Sequence, residues 1–391
     1  MAVTIDDRAT ARRGRWAVAA MFCTNGFIVG SWAPQIPLLM TRLDIREATM
    51  GLLILGFGLG ALIAMPSCGL LIPRFGSRKV LTAFALTCTL GLLLVVATSS
   101  VWLAVPALVI FGALVGGMDV AMNTNAVAVE RKLGKAIMSA SHGFWSLGGF
   151  AGGGLGGLTI QRFGALPHAA FVAGLTLIVV IVAIRFLLSE DQPAAETRTK
   201  TRFPRQPAVY IVGLIALFGM IPEGAVLDWA AIYLREERGA DIATAGFAFA
   251  AFCATMATMR FLGDIVRNRF GAVQTLRVSS LIAAVGIFVA GLSPTPWLAI
   301  AAFAFAGFGL ANIIPIAFSA AGNQPGISSA AGMSVVTTLG YSGILVAPSF
   351  IGFIAQSTGF APIYLGLSAL LVFVFFAARF AAAADGARSG H

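Results

Sequence analysis

The chain has 391 residues, of which 58% are hydrophobic and only 11% charged, and it carries a net charge of +10. Ordinary soluble domains hold about 25% charged residues, so this composition excludes a water-soluble protein and points to a membrane protein. The positive charge then reads as topology and contact with anionic lipid head groups, not nucleic-acid binding, which would need a soluble domain to carry the basic face.

Arg8, Arg12, Arg13 and Arg15 precede an apolar run much longer than the core of a signal peptide, so no cleavage is expected. Twelve apolar runs follow, at 16–41, 48–72, 80–97, 101–129, 138–160, 166–188, 207–234, 241–262, 274–292, 296–320, 328–355 and 360–384. Spanning about 30 Å of hydrocarbon takes on the order of 20 residues at about 1.5 Å each. The runs are continuously apolar, whereas strands of a membrane barrel alternate. The expected fold class is therefore all-α, with twelve transmembrane helices. The polar stretch SEDQPAAETRTKTRFPRQ at 189–206, with Pro193 and Pro204, divides them into a six-helix bundle over 1–188 and another over 207–391.

A shift of 195 residues lays the second half on the first. It pairs Arg74, Phe75 and Gly76 with Arg269, Phe270 and Gly271, Trp102 with Trp297, Gly112 with Gly307, Gly148 with Gly343, and Gly164 with Gly359. Six helices per half make the repeats parallel, related by an axis along the membrane normal. Of the 26 Lys and Arg residues, only Arg42, Arg46, Arg162, Arg235 and Arg238 fall on the side opposite the termini. Cytoplasmic loops keep the excess of such residues, so both termini are expected in the cytoplasm. Cys23, Cys68, Cys88 and Cys253 lie inside apolar runs without ligand spacing, which implies neither disulfides nor a metal or cofactor site.

The loop between the second and third runs reads GLLIPRFGSRKVL. Its Gly69, Arg74, Gly76, Arg78 and Lys79 resemble the signature of the major facilitator superfamily, and the resemblance covers essentially the whole chain. MDVAMNTNAVAVE at 118–130, EGAVLDWAAIYL at 223–234 and GYSGILVAPSFIG at 340–352 are similar to the fucose-permease-like branch and its bacterial inner-membrane relatives. The resemblance implies a cavity between the two bundles, rocking of the halves and proton-coupled sugar import, with an acid in the fourth helix that matches Asp119. The branch's acid in the first helix falls near Gly30. In the superfamily a carboxylate of the loop signature latches the halves together; Pro73 stands at that position, with Asn268 as its repeat partner. Asp264 could substitute, and Arg269 and Gly271 repeat the loop.

Charged groups in hydrocarbon are costly and functional by default. Three acids fall inside the runs: Asp119, Glu223 and Asp228. Asp119 and Asn123 share a helical face, from which Asn125 is turned away. Glu223 follows Pro222, which is expected to bend the helix and free a carbonyl; a carboxyl there could exchange a proton as access alternates. Asp228, beside Trp229 near the outer boundary, reads evenly as an interfacial cap or gate contact and as a substrate- or proton-binding acid. Further polar positions are candidate cavity wall: Asn25, Trp32 and Gln35 on one face of the first helix, His142 and Trp145 on the fifth, and Asn312 and Tyr341. The glycines from Gly143 to Gly157 follow no strand and precede no Lys-Ser/Thr, so they are helix-packing surface, open to sliding between the halves, and not a phosphate loop.

No Lys or Arg falls in the middle of a run, with Arg185, Arg260 and Arg379 near cytoplasmic ends, so anionic solutes are disfavoured. No Walker sequence, nucleophile–base pair or metal cluster suggests an ATP-driven pump or an enzyme. The reading is a secondary transporter, monomeric in the bacterial inner membrane, with a small neutral polar solute such as a sugar, protons and lipid as its partners. The alternatives are proton-driven efflux of drugs or lipophilic cations, and a transport-inactive sensor.

Overall fold

The computed structural model describes residues 5–133, 137–189, 204–327 and 329–385, and every regular element among them is helical. The first span is α1 (Ile5–Trp32), a 3₁₀ turn over Ala33–Gln35 and α2 (Ile36–Leu43). Pro34 and Pro37 lack the backbone donors a continuous helix would need, which places the break there. The second is α3 (Glu47–Phe75), and the third is divided into α4 (Ser77–Cys88) and α5 (Gly91–Val96). Then come α6 (Val101–Leu133), α7 (Met138–Phe163) and α8 (Ala165–Ala183). The remaining six are α9 (Pro207–Glu236), α10 (Ile242–Phe270), α11 (Ala272–Leu292), α12 (Pro296–Gly322), α13 (Ser329–Thr358) and α14 (Ala361–Ala377). Eleven of these twelve segments are long and apolar enough to cross a membrane. The exception is α7, whose glycines dilute its hydropathy. The polar stretch at 190–203 lies outside the described residues.

The chain forms two compact units, Met1–Thr197 and Arg198–His391. In the first, α1 packs on α7 and α3 on α6; in the second, α9 packs on α13 and α10 on α12. These pairs correspond under the 195-residue shift, and so do their helix ends. Gly76, Gly271, Gly164 and Gly359 all have positive φ, between 75° and 90°. Each donates its N–H over 2.8 Å to the carbonyl four residues back, at Ile72, Arg267, Ile160 and Ala355 respectively. Glycine reaches this conformation without a Cβ penalty, so the duplicated glycines are helix terminators. Trp102 and Trp297, another repeat pair, are 86% and 62% exposed. Such large apolar groups on the outside of a bundle match a hydrocarbon surround.

The α1–α7 contact is backbone against backbone. A Cβ at Gly26 would overlap the Trp145 carbonyl, one at Gly30 the Gly149 carbonyl, and ones at Gly148 and Gly152 the carbonyls of Cys23 and Phe27. Small residues at this spacing let two helices approach closely in lipid. Gly148 and Gly152 thus hold two helices of one unit together, the close approach expected of this glycine run.

Candidate functional site

The three intramembrane acids have three different surroundings. Asp119 is half-buried on α6, and the Asn123 side-chain amide donates to its carbonyl at 2.9 Å and to its Oδ1 at 3.2 Å. The four-residue spacing does bring the two side chains onto one face. Asn125 is turned away and fully buried, donating to Ser77 Oγ at 2.8 Å and to the Leu188 carbonyl at 3.0 Å. Asp228 is 8% exposed and forms no ion pair among the described residues. It lies within electrostatic range of Tyr364, whose hydroxyl is buried without a hydrogen-bond partner. Its side chain is packed inside the unit.

Glu223 stands midway along α9, which runs as an uninterrupted helix through Pro222. Proline has no N–H, so the Phe218 carbonyl lacks its usual intrahelical donor even without a break. Glu223 Oε1 accepts a charged hydrogen bond from Arg260 Nη2 at 3.2 Å, while Oε2 is buried without a partner. This overturns the expectation that no cation reaches the middle of a span. Arg260 falls near the end of the apolar run, but α10 continues to Phe270. The guanidinium therefore lies well inside the helix and reaches the middle of its neighbour. Hydropathy stops where charges begin, whereas the backbone hydrogen bonding of the helix does not.

The remaining candidates divide by unit. In the first, Trp145 Nε1 donates to Asn25 Oδ1 at 2.9 Å and Asn25 Nδ2 donates to the Val115 carbonyl at 3.3 Å, joining α7, α1 and α6. His142 meets the Phe22 ring edge-on, with centroids 5.1 Å apart. Trp32, 2% exposed, packs edge-on against Phe111 at 6.2 Å. Gln35, also 2% exposed, donates to the Ala165 carbonyl at 3.0 Å and lies 2.8 Å from His168 Nδ1. Trp32 and Gln35 are thus packed within the first unit, which for Trp32 is the helix-packing side of the two readings its position allows. Buried polar groups must find partners, and neighbouring helices supply them here. In the second unit, Asn312 is buried and donates to Ser279 Oγ at 3.3 Å, and Tyr341 is half-buried on α13.

In the loop signature, Arg74 lies over the Phe75 ring at 5.3 Å, and its repeat partner Arg269 over Phe270 at 5.7 Å. Arg78 donates to the Ile184 carbonyl at 3.2 Å, tying α4 to the end of the sixth span, and Lys79 is exposed. Pro73 is exposed in the last turn of α3. The surroundings of Gly69 and the side chain of Asp264 lie outside the described residues. One carboxylate in this region escaped the sequence reading. Asp385 accepts from the Ala272 N–H at 2.8 Å and 2.9 Å, at the N-terminus of α11 where a helix favours negative charge. Arg267 reaches Ser319 at 2.9 Å and also the Ala384 carbonyl, so the tail is bound to α10, α11 and α12.

A groove of about 600 Å³ lies between α9, α13 and α14, lined by Leu217, Ile221, Val346, Phe350 and Ile354 among others. Phe350 and Ile354 are 63% and 47% exposed, and the lining is apolar apart from Ser342 and Thr358.

Six helical spans in each unit, duplicated in sequence and carrying ionisable groups at membrane depth, define an integral membrane transporter. The sequence profile of the Major Facilitator Superfamily matches residues 18–227, and the chain belongs to that family. It is a transporter and not an enzyme. It is 36% identical over 92% of its length to an uncharacterized MFS-type transporter of Yersinia pestis, covering 93% of that protein. It is 32% identical over 93% of its length to membrane protein MosC of Rhizobium meliloti, covering 89% of that protein. Among solved structures, a mutant of nucleoside transporter NupG gives a TM-score of 0.74 at 12% identity, over 93% of this chain and 98% of that one. A D-xylose-proton symporter gives 0.71 at 15% identity, over 94% and 96%. At these identities the likeness is one of fold.

Proposed function

We propose that the protein is a proton-coupled secondary transporter that moves a small neutral polar solute, such as a sugar, by alternating access. It acts as a monomer in the bacterial inner membrane, with both termini in the cytoplasm, an orientation supported by the asymmetry of its Lys and Arg residues. The similar solved folds, a nucleoside transporter and a D-xylose-proton symporter, are named for solutes of this chemical kind.

Asp119 carries the proposal. It is a half-buried carboxyl in a span, its neighbour Asn123 supplies an amide rather than a cation, and among the described residues it forms no ion pair. Acids of this kind act as proton relays in transporters. Glu223, held by Arg260, is the less free of the two leading carboxyls. The test is uptake into proteoliposomes of the sugar or nucleoside that most stabilises the purified protein. An acid exterior should drive accumulation. Asp119→Asn should reduce that accumulation tenfold or more while leaving solute exchange at equal pH intact. Accumulation by Asp119→Asn at the wild-type level would remove Asp119 as the carrier, and indifference of the wild type to the gradient would remove proton coupling.

A further inference from the structure

The groove between α9, α13 and α14 lies where the two units have diverged. Under the 195-residue shift, Ile221 and Ala347 of its wall fall on Gly26 and Gly152. Those glycines bring α1 and α7 backbone to backbone, whereas the larger side chains of the second unit hold α9 and α13 apart, with Ile221 against Gly343. Gly366, on the α14 wall, falls on Phe171. A Cβ at Gly366 would meet no heavy atom within 4 Å, so packing does not demand a glycine there; its effect is to leave room. The shared scaffold is therefore complete without this space.

The wall states what could fill it. Ser342 and Thr358 are its polar members, and each spends its hydroxyl hydrogen on its own helix, Ser342 on the Leu339 carbonyl at 2.7 Å and Thr358 on the Ile354 carbonyl at 3.0 Å. A hydroxyl has one hydrogen to give. The lining thus presents no charge and no free side-chain donor, and a ligand must meet it with hydrocarbon. Phe350, Phe353 and Ile354 are exposed along the same helix, and α13 and α14 are both long and apolar enough to cross a membrane. Apolar side chains left open on a spanning helix face lipid, where the abundant ligand is an acyl chain. The lining follows α13 from Ser342 to Thr358, about 24 Å of helix at about 1.5 Å per residue. A volume of about 600 Å³ over that length averages about 25 Å² in cross-section, far narrower than a helix of about 10 Å diameter. A single hydrocarbon chain has the right shape; a helix of a partner protein does not.

We infer that the groove is a seat for one acyl chain of a membrane phospholipid, lying along α13 between Leu217 and Ile221 on one side and Gly366 on the other. The chain supplies the dispersion contacts that the three helices do not make with each other at this place, so the bound lipid stabilises the α9–α13 seam. The head group lies beyond the lining, so the seat selects for the chain and not for charge.

The test uses the full-length protein, stripped of lipid in detergent and titrated with 1-palmitoyl-2-oleoyl phosphatidylethanolamine, the matching phosphatidylglycerol and dioctanoyl phosphatidylglycerol. Thermal stabilisation reads binding, because a ligand of the folded state raises its apparent stability, and native mass spectrometry counts the lipids retained. The expected result is one saturable lipid, with the two long-chain head groups equivalent and the dioctanoyl lipid at least tenfold weaker. Gly366→Phe, which copies the residue of the first unit, should unfold at the wild-type temperature without lipid and bind the long-chain lipids at least tenfold more weakly. Should that variant fail to fold, Gly366→Leu fills the same space with a smaller side chain and should weaken binding in the same direction. Undiminished lipid binding by a folded Gly366 variant, no saturable lipid on the wild type, or selection by head group without regard to chain length would overturn the seat. A wild-type dimer that Gly366→Phe separates into monomers would also overturn it, and would assign the groove to a second copy of the chain.

Discussion

The α1–α7 pair and the α9–α13 pair stand in the same sequence register, 195 residues apart, but are packed by different means. In the first, glycines on both helices put backbone against carbonyl, and Trp145 to Asn25 adds a hydrogen bond across the seam. In the second, Gly148 alone keeps its glycine, as Gly343, which faces Leu217 and Ile221, whereas Gly26, Gly30 and Gly152 fall on Ile221, Ala225 and Ala347. Leucine and isoleucine can change rotamer, whereas a carbonyl in a helix cannot move without its hydrogen bonds. The first seam is rigid and the second adaptable. Glu223 stands on α9 but meets α10, through Arg260, and not α13.

Three sets of substitutions break or sharpen this contrast. The largest effect is expected from Gly26→Ala and Gly148→Ala, whose added methyl groups meet carbonyl oxygens. Each should destabilise the protein by about 3 kcal/mol, the upper end for overpacking, whereas Gly343→Ala, against movable side chains, should stay near 1 kcal/mol. Thermal unfolding of the three variants in one detergent measures this, and equal losses would remove the distinction. Next is Arg260→Met, which strands Glu223 and should cost about 2 kcal/mol, less than a fully enclosed pair because both side chains are partly accessible. Adding Glu223→Leu should recover stability in the same measurement, because no carboxylate is then left stranded. The smallest effect is Gly366→Ala on α14, where no atom lies within 4 Å of the new methyl. It should be neutral or stabilising by up to about 1 kcal/mol through helix propensity, and a clear loss of stability would show the adjacent groove to be occupied.

Much of the frame was readable because it is written locally. Apolar runs of about twenty residues locate the spans, and the repeated glycines at Gly76, Gly164, Gly271 and Gly359 mark the ends of helices, since positive φ demands them. The helix ends were less legible. α10 runs on through Arg260 and Arg267 to Phe270, because a helix continues past the hydrocarbon on its own hydrogen bonds, and that alone hid the depth of Arg260. Of the polar candidates, the Asp119–Asn123 face followed from helical spacing. Trp32 and Gln35 shared a face just as plausibly, yet that face turned out to be interior to the first unit.

Composition, periodicity and the 195-residue repeat by themselves determined a duplicated, twelve-span, all-helical membrane protein, and they singled out the acids worth attention. Only the tertiary structure decided what each acid and amide meets. Glu223 and Arg260 are 37 residues apart in the chain, Asn25 and Trp145 are 120 apart, and Gln35 and His168 are 133 apart. Hydropathy and helical period state which residues share a face of their own helix. They do not state which other helix that face will meet, because that choice is made by packing among many segments at once.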